Sequence, residues 1–138
     1  LDADMVRSAA MLHDIGICRT KAPGIHCLGE EPYIRHGIIG AGMLREEGAP
    51  EEWARVAETH TGTGLTAEDI VQQQLPLPEC DYMPESILEK LVCYADKFYS
   101  KSGAMEKRTV AKARAALARH GGDSLMRFDA MHRMFGYV

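Results

Sequence analysis

Apolar residues recur every three or four positions along most of this chain, a spacing that predicts helices. No stretch alternates apolar and polar residues in the way that a half-buried strand does. The spacing predicts seven helices, at about residues 2–14, 32–47, 50–60, 66–74, 84–100, 107–119 and 124–135. The pattern therefore predicts an all-α fold, a compact multi-helix bundle with long loops at 17–31 and 75–83.

Capping and turn residues support these boundaries. Pro50 and Pro84 suit the first turn of a helix, where a proline removes no helical hydrogen bond. Thr66, followed three residues later by Asp69, resembles a helix N-cap, and Asp123 is a second candidate cap. The chain contains no internal repeat or linker, so residues 1–138 are predicted to form one domain.

The composition is that of an ordinary globular protein, with 46% hydrophobic and 26% charged residues. No apolar run approaches the ~20 residues that span a bilayer, so no membrane partner is expected. No secretory signal is visible, and four cysteines are too few for a disulfide scaffold, which favours reduced thiols and a cytoplasmic location. Because the chain begins at Leu1 rather than Met, we expect an N-terminal helix to be missing.

Charge is distributed unevenly along the chain. The net charge is −4, yet residues 97–138 hold nine Lys and Arg against three Asp and Glu. Residues 104–138 are therefore predicted to form a basic C-terminal helical extension of the same domain. The overall negative charge argues against non-specific nucleic-acid binding, and no sequence-specific nucleic-acid partner is expected. Met126, Met131 and Met134 indicate either core packing or a homo-oligomer contact.

The adjacent pair His13 and Asp14 is the strongest candidate for chemistry. It lies where the first predicted helix ends, just before Gly16. An imidazole and a carboxylate are costly to bury together unless a partner satisfies both. A divalent cation does so, because it takes nitrogen and oxygen ligands in one site. The pair therefore indicates a metal site.

Asp96 lies on the helix 84–100 beside an apolar stripe that includes Ala95 and Tyr99. A carboxylate there needs a cation, hydrogen bonds or water, and a partly solvated or ion-paired Asp is the simpler interpretation. Lys97 and Lys101, one turn apart just beyond it, are candidates to bind the substrate by neutralising its phosphates. Ordinary solvated lysines are the simpler explanation for both.

His60 and His36 are also ambiguous when each is considered alone. His60 ends the inward-facing stripe of the helix 50–60, where a core histidine with satisfied hydrogen bonds is the simpler interpretation. His36 lies early on the helix 32–47, which also contains glycines at positions 37, 40 and 42. Each interior Gly costs on the order of 1 kcal/mol relative to Ala. Three of them indicate close approach by a backbone or a bound group, unless the helices simply pack tightly.

Four ordered segments resemble the HDIG-type members of the HD-domain superfamily, a group of metal-dependent phosphohydrolases. They are HDIG at 13–16, RHGIIGAGMLR at 35–45, ETHTG at 58–62 and YADK at 94–97. The resemblance covers roughly residues 1–100. The run DYMPES at 81–86, followed by Glu89 and Lys90, is most similar to a small, poorly characterised HDIG-domain family.

The resemblance implies a set of ligands for one or two divalent metal ions. His13, Asp14 and Asp96 would hold the first ion. Asp14, His36 and His60 would hold the second, with Asp14 as the bridge between the two. The pattern does not distinguish among Fe, Mn, Zn, Mg, Co and Ni.

The resemblance also implies hydrolysis of a phosphate ester or anhydride, in which Asp14 is the catalytic residue that orients the attacking water. The substrate would be a small phosphorylated molecule, with a nucleotide favoured. The competing interpretation is a catalytically degenerate HD domain that binds a nucleotide or acts as a regulatory module. A purely structural helical adaptor is favoured if the five ligand candidates prove to be scattered.

Two departures from the family pattern matter for this prediction. A further His on an upstream helix is absent, and Ile17 stands where a Lys often follows HDIG. The second departure removes one candidate phosphate contact. A zinc site at Cys18, His26 and Cys27 is a weaker alternative, because a fourth ligand at structural spacing is lacking.

Overall fold

The structure, a computed structural model, describes residues 1–99 and 106–136, and seven α-helices account for most of them. They are α1 (Ala3–Leu12), α2 (His36–Glu46), α3 (Glu51–Thr59), α4 (Ala67–Gln72), α5 (Ile87–Asp96), α6 (Val110–Ala118) and α7 (Gly122–Phe135). Short 3-10 turns lie at Ile15–Arg19, Pro23–Ile25 and Tyr33–Arg35. None of the helices in this part of the chain combines the length and the apolar character that crossing a lipid bilayer requires. The predicted all-α bundle is confirmed.

The predicted loop 17–31 contains a small antiparallel ribbon that the hydrophobic pattern did not reveal. Strand β1 (Lys21–Ala22) pairs with strand β2 (Cys27–Leu28), so that Lys21 lies opposite Leu28 and Ala22 lies opposite Cys27. Strands of two residues are too short to show alternation with period 2, which explains why the sequence did not predict them.

Capping at Thr66 is confirmed, whereas α5 begins later than predicted. Thr66 and Asp69 form a reciprocal capping box, in which each backbone N–H donates to the other side chain at 3.0 Å. At α5 the hydroxyl of Ser86 accepts a hydrogen bond from the backbone N–H of Glu89, so the helix begins after Ser86 rather than at Pro84. A side-chain cap thus decides this boundary.

The two C-terminal helices also begin at residues other than those predicted. The N-cap Thr109 starts α6 at Val110 rather than at 107. Gly121 adopts a φ of 106° and starts α7 at Gly122, so Asp123 lies inside the first turn instead of capping it. A positive φ of this kind favours glycine, which explains the choice of boundary.

The main core lies where α1, α2, α3 and α5 meet. Val56 on α3 is fully buried and packs against Ala9 of α1 and Leu88 of α5. Ala57, its neighbour on α3, is also fully buried and packs with Leu44 of α2. Helix α3 is therefore the central element, and the other three helices surround it.

Glycines allow α2 to lie directly on neighbouring backbone. A Cβ atom on Gly16 would lie 2.5 Å from the nitrogen of Gly40, and one on Gly37 would lie 2.9 Å from the carbonyl oxygen of Ala57. The close approach predicted at positions 37 and 40 is therefore made by backbone. At Gly42 a Cβ atom would meet nothing within 4 Å, so packing does not explain that glycine.

A second core attaches α6 and α7 to the end of α5. Phe128 on α7 is fully buried and packs with Phe98 and with Leu117 of α6. The core-packing interpretation of the methionines holds for Met131, which is 5% exposed, but not for Met126, which is 68% exposed. The C-terminal helices are thus held to the rest of the molecule by apolar contacts.

Candidate metal centre

The five side chains predicted as metal ligands lie together in one cluster. Each comes from a helix end: His13 and Asp14 follow α1, His36 begins α2, His60 follows α3, and Asp96 ends α5. The histidines of α2 and α3 are the most deeply buried, with His36 4% and His60 2% exposed. The packing of the four helices against one another therefore sets the positions of the cluster.

Asp14 lies in the middle of the cluster because its two carboxylate oxygens face different histidines. Its Oδ2 atom lies 3.3 Å from Nε2 of His13. Its Oδ1 atom lies 3.0 Å from Nε2 of His60 and 3.6 Å from Nε2 of His36. The Nε2 atoms of His36 and His60 are 3.0 Å apart. Asp96 completes the other side, where its Oδ1 atom lies 3.1 Å from Nε2 of His13.

All three imidazoles are oriented by the chain that carries them. In each ring, Nδ1 lies 2.5–2.7 Å from the backbone carbonyl oxygen three residues earlier. The pairs are His13 with Ala10, His36 with Tyr33, and His60 with Ala57. A carbonyl oxygen can only accept, so each Nδ1 carries the hydrogen and donates it. The three Nε2 atoms are therefore directed into the cluster, as in most metal-ligating histidines.

This arrangement fits a divalent cation. When the rings of His36 and His60 are neutral, neither Nε2 carries a hydrogen, so their 3.0 Å contact joins two acceptors, with the carboxylate of Asp14 as a third. Two atoms bound at about 2.1 Å to one cation lie about 3.0 Å apart at a right angle and about 3.4 Å apart at a tetrahedral angle. Ligand atoms of His13, Asp14 and His60 all lie within 4.8 Å of one another. A cation would relieve the repulsion among these acceptors.

Burial and charge act in opposite directions on the titratable groups of the cluster. Burial by itself lowers the pKa of His13, but hydrogen bonds and charges of Asp14 and Asp96 outweigh it and raise the pKa to about 9. Burial opposes ionisation of Asp14, but the hydrogen bond and positive charge of His13 hold the pKa of that carboxyl well below its usual range. Burial lowers the pKa of His60. Without a metal, His13 is therefore an imidazolium between two carboxylates, while His60 is neutral near pH 7.

Lys97, a predicted substrate-binding residue, is held inside the cluster. Its Nζ atom donates to Oδ2 of Asp96 at 2.9 Å and to the carbonyl oxygen of His60 at 2.8 Å, and its side chain is 10% exposed. Lys97 thus connects two of the candidate ligands, and its contact with a substrate stays a prediction. Lys101, the second lysine of that prediction, lies outside the described residues.

Helix α5 buries only part of its predicted apolar stripe, since Leu88 and Val92 are buried whereas the end of the stripe is not. Ala95 is exposed and Tyr99 is 47% exposed, although both belong to the stripe. Glu89, Cys93 and Asp96 face inward instead, and the Asp96 side chain is only 10% exposed. Asp96 is thus ion-paired rather than solvated. Partners from other helices compensate the buried carboxylates, and no hydrophobic pattern records such partners.

Tyr33 contacts His36, and the sequence did not predict this contact. Its ring lies on that of His36, with the centroids 4.5 Å apart, and its carbonyl oxygen accepts the Nδ1 hydrogen of the same residue. In the sequence, an aromatic residue stands three positions before a histidine near the start of a predicted helix, and this spacing could have indicated the contact. Ile17, where the family often has Lys, is 6% exposed and belongs to the core.

The alternative zinc site is not supported. Cys18 is exposed and its Sγ atom donates to the carbonyl oxygen of Ile15. In the part of the chain that the structure covers, Cys18, His26 and Cys27 do not come together as a group of ligands. The cluster around Asp14 is therefore the better candidate for a metal.

Comparisons with known proteins agree with the geometry. The family model of the HD domain matches residues 1–100. The chain is 41% identical over 96 residues to an uncharacterized protein of Methanocaldococcus jannaschii, covering 70% of this chain and 49% of that protein. It is 40% identical over 99 residues to a tRNA (cytidine(56)-2'-O)-methyltransferase of Picrophilus torridus and 36% identical over 99 residues to one of Thermoplasma volcanium. Each of these two matches covers 72% of this chain and 25% of the relative.

The chain thus spans about half the length of the first relative and about a quarter of the other two. No solved structure matches it. The family model, however, covers well over half of the chain and includes all five clustered residues. This chain therefore belongs to the HD domain family.

Proposed function

We propose that this chain is a metal-dependent phosphohydrolase that cleaves a phosphate ester or anhydride, with a nucleotide as its substrate. One observation carries the proposal: Oδ1 of Asp14 and the Nε2 atoms of His36 and His60 face one another at 3.0–3.6 Å. A carboxylate oxygen and two imidazole nitrogens at this spacing suit a divalent cation. Membership of the HD domain family supports the same conclusion, since the resemblance in sequence is to metal-dependent phosphohydrolases.

Asp14 would serve two metal positions at once. Its Oδ2 atom faces His13, which contacts Asp96, and these three residues would hold one ion. Its Oδ1 atom faces His36 and His60, which would hold a second ion with it. Fe, Mn, Zn, Mg, Co and Ni all accept nitrogen and oxygen donors of this kind.

A divalent cation bound there would polarise a phosphoryl oxygen and lower the pKa of a bound water. The protein's own part is to keep the ligands in place and to orient the water. The Nδ1 hydrogen bonds hold the three rings, and Lys97 holds the carboxylate of Asp96. Because the pKa of Asp14 is lowered, its carboxylate stays ionised near neutral pH and can accept a hydrogen bond from the attacking water.

Metal content and hydrolysis, measured on the same preparations, test this function. The full chain, stripped of metal and reloaded with each candidate ion, is assayed with p-nitrophenyl phosphate, bis(p-nitrophenyl) phosphate and the common nucleotides. We expect at least one ion per chain and metal-dependent hydrolysis. Asp14→Ala should lose both, because it removes a ligand from each position, and yet remain helical by circular dichroism.

Asp4→Ala is the matched control. Asp4 lies on α1, its side chain is 83% exposed, and its ion pair is with Arg7. This variant should keep its metal and its activity. Full metal content and full activity in folded Asp14→Ala would contradict the proposed role.

A second candidate function is nucleotide binding without hydrolysis, as a module of a larger protein. Two relatives named as tRNA methyltransferases match over 25% of their length, a pattern expected of a segment joined to a separate catalytic unit. Nucleotide binding by the metal-loaded chain, with no hydrolysis of any compound in the screen, would favour this candidate.

We also propose a cytoplasmic location. Cys18, Cys27, Cys80 and Cys93 are all free thiols, and Cys18 and Cys80 are exposed. Exposed free thiols persist in reducing compartments and tend to oxidise elsewhere. Fractionation of the source cells, followed by detection of the protein in the soluble cytoplasmic fraction, tests this assignment.

A further inference from the structure

A cavity of about 470 Å³, lined by both polar and apolar groups, lies between the HD part of the chain and the C-terminal helices. Helix α4, the loop after α3 and the turn between α6 and α7 form its walls. Thr61, which directly follows the candidate ligand His60, lines it, and so does Ile34, two residues before His36. None of the five ligand candidates lines the cavity, but two of its lining residues lie one and two positions along the chain from His60 and His36. Its volume is within the ~300–1,000 Å³ of typical small-molecule sites.

Hydrogen bonds hold the inner wall of this cavity in place. The hydroxyl of Thr63 donates to the carbonyl oxygen of Ser124 at 3.0 Å, which joins the loop after α3 to α7. Arg127 donates to the carbonyl oxygen of Gly64 at 3.2 Å and lies 3.6 Å from the carboxylate of Asp69. The wall is thus formed before any ligand arrives, which lowers the entropy cost of binding.

The charge of the lining does not favour a phosphate group. The guanidinium of Arg127 is already paired with Asp69, and Asp123 adds a second carboxylate. One fixed positive charge against two negative charges would repel an anion. A neutral group that forms hydrogen bonds suits the cavity better.

The rim offers hydrogen-bonding groups that the protein itself does not use. Within the described residues, the side chains of Gln73, His120 and Asp123 line the cavity and form no hydrogen bond or ion pair. Leu65 and Leu75 line it as well and supply apolar surface. Apolar surface for a flat ring, with an amide, an imidazole and a carboxylate around it, matches the faces and edges of a nucleobase and the hydroxyls of its ribose.

We propose that this cavity binds the nucleoside part of the substrate, an uncharged base with its ribose, while the phosphate lies at the metal centre. The assignment rests on the proposed function, because it supplies the site for the group to which the phosphate is attached. It also gives the C-terminal helices, which lie beyond the segment matched by the family model, a part in substrate selection.

Titration of the metal-free full chain, followed by amide resonances in NMR, tests the cavity apart from hydrolysis. The probes are adenosine, guanosine, cytidine, uridine and inorganic phosphate, each added separately to millimolar concentration. We expect one or more nucleosides to shift the amide signals of Gly62 and Gly122, both in the lining, and phosphate to leave them unchanged. Gln73→Leu should weaken nucleoside binding about tenfold, as loss of a hydrogen bond does.

Gln74→Leu is the matched control, since Gln74 is the next residue, is exposed and lies outside the lining. It should leave nucleoside affinity unchanged. The assignment is overturned if no nucleoside shifts these signals, if phosphate alone does so, or if the two variants bind equally well. Failure of the proposed function has a different signature: nucleosides bind as expected, but the metal-loaded chain hydrolyses neither a nucleotide nor p-nitrophenyl phosphate.

Discussion

His13 shows how single residues prepare the centre for a cation. Without metal, its ring is positively charged and lies between Asp14, 3.3 Å away, and Asp96, 3.1 Å away. The imidazolium therefore offsets part of the negative charge of the two carboxylates and reduces their repulsion. A metal ion bound by the same three residues must first displace this proton.

Metal affinity should consequently depend on pH. The pKa of His13 is raised from 6.5 to about 9, so its proton stabilises the metal-free protein fully below about pH 6.5 and this stabilisation is lost as the pH rises through 9. We expect metal affinity to increase between pH 6.5 and 9, by up to about tenfold per pH unit, with release of about one proton per ion near pH 7.5. Isothermal titration calorimetry in buffers of different ionisation enthalpy measures both quantities. An affinity that does not change over this range would contradict the assignment of His13 as a ligand.

Lys97 should affect metal binding, although it cannot itself be a ligand while protonated. Its ammonium group holds the carboxylate of Asp96 and the carbonyl oxygen of His60. Lys97→Met removes both hydrogen bonds, and we expect metal affinity to fall about 10–100-fold, the usual effect of losing a partner of a metal ligand. Competition with a chelating dye measures the change. Lys90→Met, on the same helix α5, should bind metal normally; if Lys97 only contacts substrate, the two variants will not differ.

Among the secondary-structure elements, the approach of α2 to the segment after α1 decides whether His36 can reach Asp14. Gly16 lies against the first turns of α2, and a Cβ atom there would lie 2.1 Å from the carbonyl oxygen of His36. No side chain fits this contact. The glycine of the HDIG segment is therefore required by packing, quite apart from any chemistry.

Gly16→Ala should push α2 away and separate the histidines from Asp14. We expect a loss of stability of about 1–3 kcal/mol, typical of overpacking, together with weaker metal binding. Gly42→Ala is the control on the same helix: a Cβ there meets nothing within 4 Å, so the higher helix propensity of Ala should raise stability by up to about 1 kcal/mol. Thermal unfolding followed by circular dichroism compares them. A Gly16→Ala protein as stable as the parent would show that α2 does not need this contact.

Two apolar cores are joined in the part of the chain that the structure describes. The first surrounds α3, and the second lies around Phe128, where α6 and α7 pack on the end of α5. Helix α5 contributes Leu88 to the first core, and Phe98, just beyond its last residue, belongs to the second. The two cores should therefore unfold together.

Phe128→Ala tests this coupling. It should destabilise the protein by about 3–5 kcal/mol, the usual cost of removing a fully buried aromatic ring, and lower the midpoint of a single transition. Met126→Ala, on the same helix but 68% exposed, should change stability by less than about 0.5 kcal/mol. Denaturant titration followed by Trp53 fluorescence and by circular dichroism measures both variants. Early loss of part of the helical signal, with no change at Trp53, would mean that α6 and α7 unfold as a separate unit.

Local patterns in the chain were enough to predict the all-α class and the order of the seven helices, and the resemblance of short motif segments to the HD-domain superfamily implied the five clustered residues. Helical periodicity depends on neighbours three and four positions away, and the motif segments are also short. Both are therefore visible without knowledge of the fold. The inward direction of His60 is an example, because Val56 and Ala57 on the same stripe are buried with it.

Contacts between distant residues decided the rest. Asp96 faces inward because His13, 83 positions away, meets it, and Lys97 is withdrawn from solvent by the carbonyl oxygen of His60. The cavity proposed to bind the nucleoside exists only because α7 packs against the loop after α3, through Thr63 and Ser124. A buried polar side chain is tolerated when a partner satisfies it, and that partner is supplied by another helix. Hydrophobic periodicity reports on apolar burial alone, so the direction of Asp96, the hydrogen bonds of Lys97 and the cavity follow only from the packing of the helices.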